Sequence, residues 1–326
     1  MTARDCAKLL NSRDNYLLVT HNNPDGDTVM SAAALCRALR RRGKKAFLYN
    51  NPQIGSKLLP FLDKLIADET YRYQTVIAVD TATEQMLAKG FEGPVDLAID
   101  HHPTNSHYAA AEMIEAERSA CGEIILDVIK ELCGDVSKKE ATLLYIALTT
   151  DTGCFQYANV NARTFAAASE LLRCGAEAHK VALHFFRKTS LARLRLEGLI
   201  YSNLNVYRDG KLVVAPVTQA MMQEAGATED DCDDLAGLSG RAEKSEINIT
   251  IRELPDGRSK VSVRSQPWIS SSDICAAFGG GGHDMAAGCT LDAPPEKTER
   301  LLLEVIDSLY PERSEPEKGA VPEGKK

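Results

Sequence analysis

Four times in this chain an apolar element runs straight into an acid or a histidine, with no ordinary turn residues between them. The stretch Tyr16 to Thr20 leads into His21, Pro24, Asp25, Gly26 and Asp27, and Thr75 to Val79 leads into Asp80. Val95 to Ile99 leads into Asp100, His101 and His102, and the apolar helical stretch 138–150 leads into Asp151, Thr152 and Gly153. Strand-like runs at 16–20, 46–49, 75–79 and 95–99 alternate with or precede helical patterns at 27–42, 120–134, 138–150 and 161–174. That order predicts an α/β fold with a parallel sheet covered on both faces. The carboxyl ends of parallel strands share one edge, so the polar residues that follow them are brought together.

Each segment alone has an ordinary explanation. Asp27 can cap a helix, and a lone Asp80 after a strand commonly does the same. Capping does not account for the whole set of His21, Asp25, Asp27, Asp80, His101 and Asp151. Oxygen ligands with two imidazoles and no thiolate suit Mn²⁺ or a similar borderline-hard ion. Six ligands exceed what one ion needs, while four carboxylates offset the charge of two divalent ions. Paired ions about 3.5–4 Å apart direct hydroxide in line at phosphorus. Pro24 and Gly26 predict a sharp loop in the first segment, and Gly153 a tight turn in the last.

The second half changes character from about Lys188. A helical stretch at 191–203 precedes strand-like runs at 212–217, 247–251 and 260–263, and a short helix at 271–278 runs into a glycine run. These predict a second, smaller α+β domain at 205–310, a first domain at 1–187, a linker helix at 188–204 and a disordered tail at 311–326. Arg264 and Ser265 end one strand, and Gly279, Gly280, Gly281 and Gly282 lead into His283. Backbone amides at such a run, with an arginine and a histidine, favour a phosphate clamp over the alternative of a plain flexible loop. No Lys-Ser/Thr follows, so the Walker pattern is absent.

Composition removes several alternatives. A formal charge of -8 with 6% aromatic residues excludes a basic nucleic-acid-coating protein and an extended base-stacking surface. No apolar run reaches the roughly eighteen residues of a membrane span. The start of the chain lacks a signal-peptide core, and nine scattered cysteines form no CxxC pair. These features point to a reducing, cytoplasmic setting without a membrane anchor.

The successive motifs, with Asp100-His101-His102 as the naming triplet, resemble those of the DHH phosphoesterases. The second domain, with Arg264-Ser265 and the Gly279–His283 run, resembles the DHH-associated domain of the nanoRNase/pAp-phosphatase branch. The resemblance spans about residues 5–310. It implies a two-domain clamp with the active site in the cleft between the domains. It implies that His21 and Asp25 hold one Mn²⁺ and that Asp27, His101 and Asp151 hold the other. Asp80 would bridge both, with Mg²⁺ or Co²⁺ as substitutes. His102 would contact the scissile phosphate and assist the leaving group, and Asp100 would orient a histidine. Arg264, Ser265, Gly280, Gly281, Gly282 and His283 would hold the far nucleotide or its terminal phosphate.

The implied activity is hydrolysis of very short RNAs, about two to five nucleotides, to nucleoside 5′-monophosphates, together with removal of the 3′-phosphate of pAp. The resemblance leaves the oligomeric state open and is compatible with a homodimer. The alternatives are a phosphodiesterase of linear or cyclic dinucleotides such as pApA or c-di-AMP, and a non-catalytic nucleotide- or RNA-binding module. Arg37, Arg40, Arg41, Arg42, Lys44 and Lys45 read as a solvated helix end. His179 and His184 read as structural and Cys154 as packing. His107, Arg118 and Glu123 lie near the third motif without a role that spacing can assign.

Overall fold

The computed structural model describes residues 1–232 and 235–311. They form two compact units, Met1–Lys188 and a second from Thr189 onward. The expected tail, apart from Pro311, lies outside the described residues.

The first unit holds a five-stranded sheet of β1 (Tyr16–Val19), β2 (Ala46–Leu48), β3 (Thr75–Val79), β4 (Leu97–Asp100) and β5 (Glu112–Ile114). The spatial order is β2-β1-β3-β4-β5, and every pair is parallel. All positions of β1, β3 and β4 are buried, which is why they read as unbroken apolar runs. β5 has one buried residue, Met113, between two half-buried ones, and carries no such signal.

The two faces are covered by different means. The helices α1 (Ala3–Ser12), α2 (Gly26–Arg41), α3 (Cys121–Cys133), α4 (Lys138–Asp151) and α5 (Ala162–Arg173) bury Tyr16, Leu18, Ile77, Val79, Leu97 and Ile99 on one face. Leu17, Val19, Val76 and Ala78 on the other face meet loop residues such as Tyr49, Tyr71, Leu87, Phe91 and Tyr108. Topology gives the reason. The chain steps from β1 to β2 in one direction and from β2 through β3 and β4 to β5 in the other. Right-handed crossovers place connections made in opposite directions on opposite faces. The helical connection therefore covers one face and the loops after β3 and β4 the other, while the β2–β3 connection contributes to both, Ile54, Leu58, Leu62 and Leu65 joining the helices and Tyr71 the loop side. A short helix, α6 (Ala178–Val181), closes the unit.

The second unit contains α7 (Leu191–Ser202), β6 (Asn205–Tyr207), β7 (Leu212–Val217), α8 (Gln219–Ala225), β8 (Ile247–Glu253), β9 (Ser259–Ser265), α9 (Ser271–Ala276), β10 (Gly281–His283), β11 (Ala286–Leu291) and α10 (Pro295–Leu309). Its sheet order is β10-β11-β9-β8-β7-β6, antiparallel except for β7 beside β8. Leu212 and Val214 pack with Leu302 and Ile306 of α10 on one face. Ala215 and Val217 pack on the other with Leu196 and Ile200, both fully buried on α7. The stretch read as a linker helix is thus part of this unit's core.

Candidate metal centre

The polar residues that follow β1, β3 and β4 meet at the carboxyl edge of the sheet, where α2 and α4 bring two more. Strand order reverses between β1 and β3, and such a switch point opens a crevice above the strand ends. Ligand atoms of His21, Asp25 and Asp80 form one cluster within 4.8 Å. Asp27, His101 and Asp151 form a second, and Asp80, His101 and His102 a third. All six expected metal ligands are brought together, with Asp80 and His101 each shared by two clusters.

Asp25, not Asp27, is the N-cap of α2. Its Oδ1 accepts from the amides of Asp27 at 2.9 Å and Thr28 at 3.1 Å. Gly26 is the first helical residue and does not supply a turn. It is needed because α4 passes close by: a Cβ there would lie 2.6 Å from Thr150 Cγ2.

Asp27 is fully buried. Its Oδ1 accepts from Ser31 Oγ at 2.9 Å and Gly122 N at 3.0 Å, and its Oδ2 from Cys121 N at 2.6 Å. α3 begins after Ala120, which has no side chain to cap it. The carboxylate from α2 takes the free amides of α3 instead.

The two histidines are oriented alike. His21 Nδ1 lies 2.6 Å from the Asn22 carbonyl, and His101 Nδ1 lies 3.1 Å from the Arg118 carbonyl. Donation from Nδ1 leaves each Nε2 for a metal ion. His101 Nε2 is 3.3 Å from Asp80 Oδ1, 3.7 Å from Asp151 Oδ2 and 3.9 Å from Asp27 Oδ2.

Asp80 is buried, in the left-handed region at φ 55, a strained position for a non-glycine residue. Its Oδ1 is buried with no hydrogen-bond partner among the described residues. A buried carboxylate oxygen that makes no hydrogen bond costs free energy unless something compensates it, as a cation at the shared vertex of two clusters would.

The electrostatics agree. Burial, then the charges of Asp80 and Asp151, push the Asp27 carboxyl well above its usual range. Burial and Asp80 push Asp151 up to about 7 against the opposing pull of His101. Burial alone would lower His101, but Asp80, Asp27 and Asp151 prevail and lift it to about 10. His21 rises to about 9, its burial outweighed by Asp25, the Asn22 carbonyl and Asp80. Four carboxylates around two imidazoles are a set of like charges that divalent cations would neutralise.

His102 stands apart from this pattern. Its Nδ1 lies 2.7 Å from Asp100 Oδ1, which also accepts the His101 amide at 2.8 Å. Asp100 is fully buried, and its Oδ2 accepts from Asn105 Nδ2 at 2.7 Å. The Asp100 bond is the main reason that His102 holds its proton above the ordinary imidazole range. Asn105 completes the acceptor set of Asp100, and sequence reasoning missed it because its only local sign is a polar residue in a loop. His107 is exposed and pairs with Glu112, away from these clusters.

In the second unit, Arg264 is exposed on β9, and its register partners are Asn248 and Ala286. Ser265 Oγ is engaged with the Ile269 carbonyl at 2.6 Å and Ser271 Oγ at 2.8 Å. The amides of Gly279 and Gly280 donate to Ala276 and Cys275 and close α9. A Cβ on Gly280 would lie 2.8 Å from Cys289 Cα, and one on Gly282 would lie 2.6 Å from the Ala286 oxygen. Gly281 is different: a Cβ there meets nothing, and no positive φ demands glycine. The exposed hairpin strand it shares with His283 is open to an incoming group.

Residues 15–148 match the DHH family N-terminal domain, and residues 209–310 match the DHHA1 domain. The bifunctional oligoribonuclease and PAP phosphatase NrnA of Thermus thermophilus is 32% identical over 299 residues, covering 90% of this chain and 89% of that protein. The chain belongs to the DHH family. The Bacillus subtilis protein of the same name is 25% identical, covering 90% of this chain and 94% of its own. The crystal structure of an exopolyphosphatase-related protein from Bacteroides fragilis shares the fold, with a TM-score of 0.86 at 22% identity over 95% of this chain and 96% of that one. This DHH protein is a phosphoesterase, and the matched N-terminal domain contains all of the clustered acids and histidines except Asp151, which lies just beyond it. Among the described residues no helix is long and apolar enough to cross a membrane.

Proposed function

We propose that this chain is a two-metal, Mn²⁺-dependent phosphoesterase that hydrolyses very short oligoribonucleotides to nucleoside 5′-monophosphates and removes the 3′-phosphate of pAp. The observation that carries the reading is Asp80, whose carboxylate clusters with His21 and Asp25 on one side and on the other with His101, itself clustered with Asp27 and Asp151. The names of the Thermus and Bacillus relatives support the substrate class.

In this reading His21 and Asp25 hold one ion, Asp27, His101 and Asp151 hold the other, and Asp80 serves both. When bound, such ions neutralise charge on the phosphoryl oxygens and activate water for attack. The protein's own part is to keep the six ligands in place and to handle the leaving group. With Nδ1 tied to Asp100, His102 keeps Nε2 for the substrate. It holds a proton there, faces the scissile phosphate and delivers the proton to the departing oxygen. Arg264, Gly281 and His283 take the far phosphate or nucleotide, with Gly280, Gly282 and Ser265 shaping the loop that presents them.

The test is hydrolysis with Mn²⁺ of pApA, a five-nucleotide RNA, a 24-nucleotide RNA, pAp, c-di-AMP and pyrophosphate. Rapid loss of pApA and pAp with the long RNA spared is the expected result. Asp80→Ala should abolish it while circular dichroism stays unchanged. Loss of c-di-AMP alone would replace this reading with a cyclic-dinucleotide phosphodiesterase. Tight pAp binding without turnover would replace it with a binding module.

A further inference from the structure

The segment between β5 and α3 donates no ligand to the metal centre, yet it touches three of the six. The Arg118 carbonyl takes the His101 Nδ1 hydrogen bond at 3.1 Å. The amides of Cys121 and Gly122 hold the two oxygens of Asp27 at 2.6 and 3.0 Å. Ser119 reaches the third through Asn159, whose Nδ2 donates to the Ser119 carbonyl at 3.0 Å and to the Asp151 carbonyl at 3.1 Å. His101, Asp27 and Asp151 are the members of one cluster, and the segment makes none of these bonds to His21 or Asp25.

What holds the segment is the Arg118 side chain, only 6% exposed. Its Nε donates to Glu115 at 2.6 Å and its Nη2 to Asp127 at 2.6 Å, while Glu123 stands 3.7 Å from Nη1. The guanidinium therefore ties the end of β5 to the first two turns of α3, with its own carbonyl pointing at His101. Ser119 Oγ adds bonds to the Asn159 carbonyl and Thr164 Oγ1. A planar donor fork in a fixed geometry locks a backbone in a way that a lysine cannot.

We infer that Arg118 is a positioning residue for one metal subsite only: it braces the backbone that orients His101, Asp27 and Asp151, and leaves the His21–Asp25 subsite alone. The inference rests on the two-ion reading above. Outer partners of metal ligands are typically worth about 10- to 100-fold in affinity. Arg118→Gln should weaken one of two Mn²⁺ binding events by about that factor and leave the other unchanged.

The test is titration of the metal-free protein with Mn²⁺ alone, counting bound ions by electron paramagnetic resonance and calorimetry. Asn159→Ala is the second variant. Asn159 is exposed, so its loss spares the fold should Arg118→Gln fail to fold, and it should weaken the same event. Two ions in the wild type with one selectively weakened in the variants supports the brace. Two unchanged events in both variants, or equal weakening of both events, overturns it while leaving the two-ion reading standing. A single ion in the wild type sinks the two-ion reading and the subsite assignment with it.

Discussion

Replacing Asp100 by Asn changes one atom type and bears on the chemistry of His102. Asp100 accepts three bonds: from His102 Nδ1 at 2.7 Å, from the His101 amide at 2.8 Å and from Asn105 Nδ2 at 2.7 Å. An Asn amide cannot satisfy all three, because its NH₂ must face at least one donor. Whichever way the amide faces, the bond to a protonated His102 loses its charge assistance, a contribution of about 1.5–3 kcal/mol. Its loss from the protonated form lowers the His102 pKa and cuts the protonated fraction, and with it kcat on the alkaline side, by roughly 10- to 150-fold. Asp100 is not among the clustered ligand atoms, so Mn²⁺ affinity should change far less. The assay compares kcat for pApA with kcat for a p-nitrophenyl ester of a nucleoside 5′-monophosphate, at saturating Mn²⁺. Nitrophenolate leaves without a proton, so its kcat should fall much less. The alkaline limb of the pApA profile should also move to lower pH, because the bond that raises the His102 pKa has gone. Equal losses on both substrates, or an unchanged limb, would refute the role given to this pair.

Gly26→Ala tests close packing against helix propensity. Alanine ordinarily favours a helix by roughly 0.5–1 kcal/mol over glycine. Here the overlap with Thr150 should reverse the sign and destabilise by about 1–3 kcal/mol in a denaturant titration, and stabilisation would contradict the packing. On the glycine run, Gly280→Ala should lower the melting temperature, since its Cβ meets β11. Gly281→Ala should leave the melting temperature alone and raise KM; equal effects in both assays would remove Gly281 from the substrate surface. Metal-free protein should lose stability as pH rises. The protons on His21 and His101 contribute stability that is complete below about 6.5 and lost toward about 9 and 10. Asp151, lifted to about 7, acts in the same direction, because the folded state binds its proton more tightly than the unfolded state does. Melting temperatures in EDTA should therefore fall between pH 6.5 and 9 and respond increasingly to Mn²⁺; a flat or rising profile would count against the charge crowding.

Much of the first unit was legible because its signals are local. β1, β3 and β4 are buried on both faces and show as unbroken apolar runs, and α2, α4 and α5 open on capping residues. α1 and α10 carry the same kind of signal, from Thr2 ahead of Cys6 and Leu10 and from Leu302 and Ile306 one turn apart, in less apolar stretches. β10 and β11 were not legible: glycines and alanines have little strand propensity, and the partnership with β9 holds them in place. The six ligand candidates were readable because carboxylates and imidazoles recur at the ends of successive apolar elements.

The amino-acid order thus determined most elements of the first unit and which ends of them carry the candidate ligands. Those properties depend on residue chemistry and on spacing within a single element. Tertiary structure alone decided that Asp27 caps a helix 94 positions away, that Gly26 makes room for Thr150, and that the Arg118 carbonyl aims His101. Each of these is a contact of a few ångströms between segments far apart in the chain. Only the packing of α2, α3 and α4 over one sheet brings them to that distance.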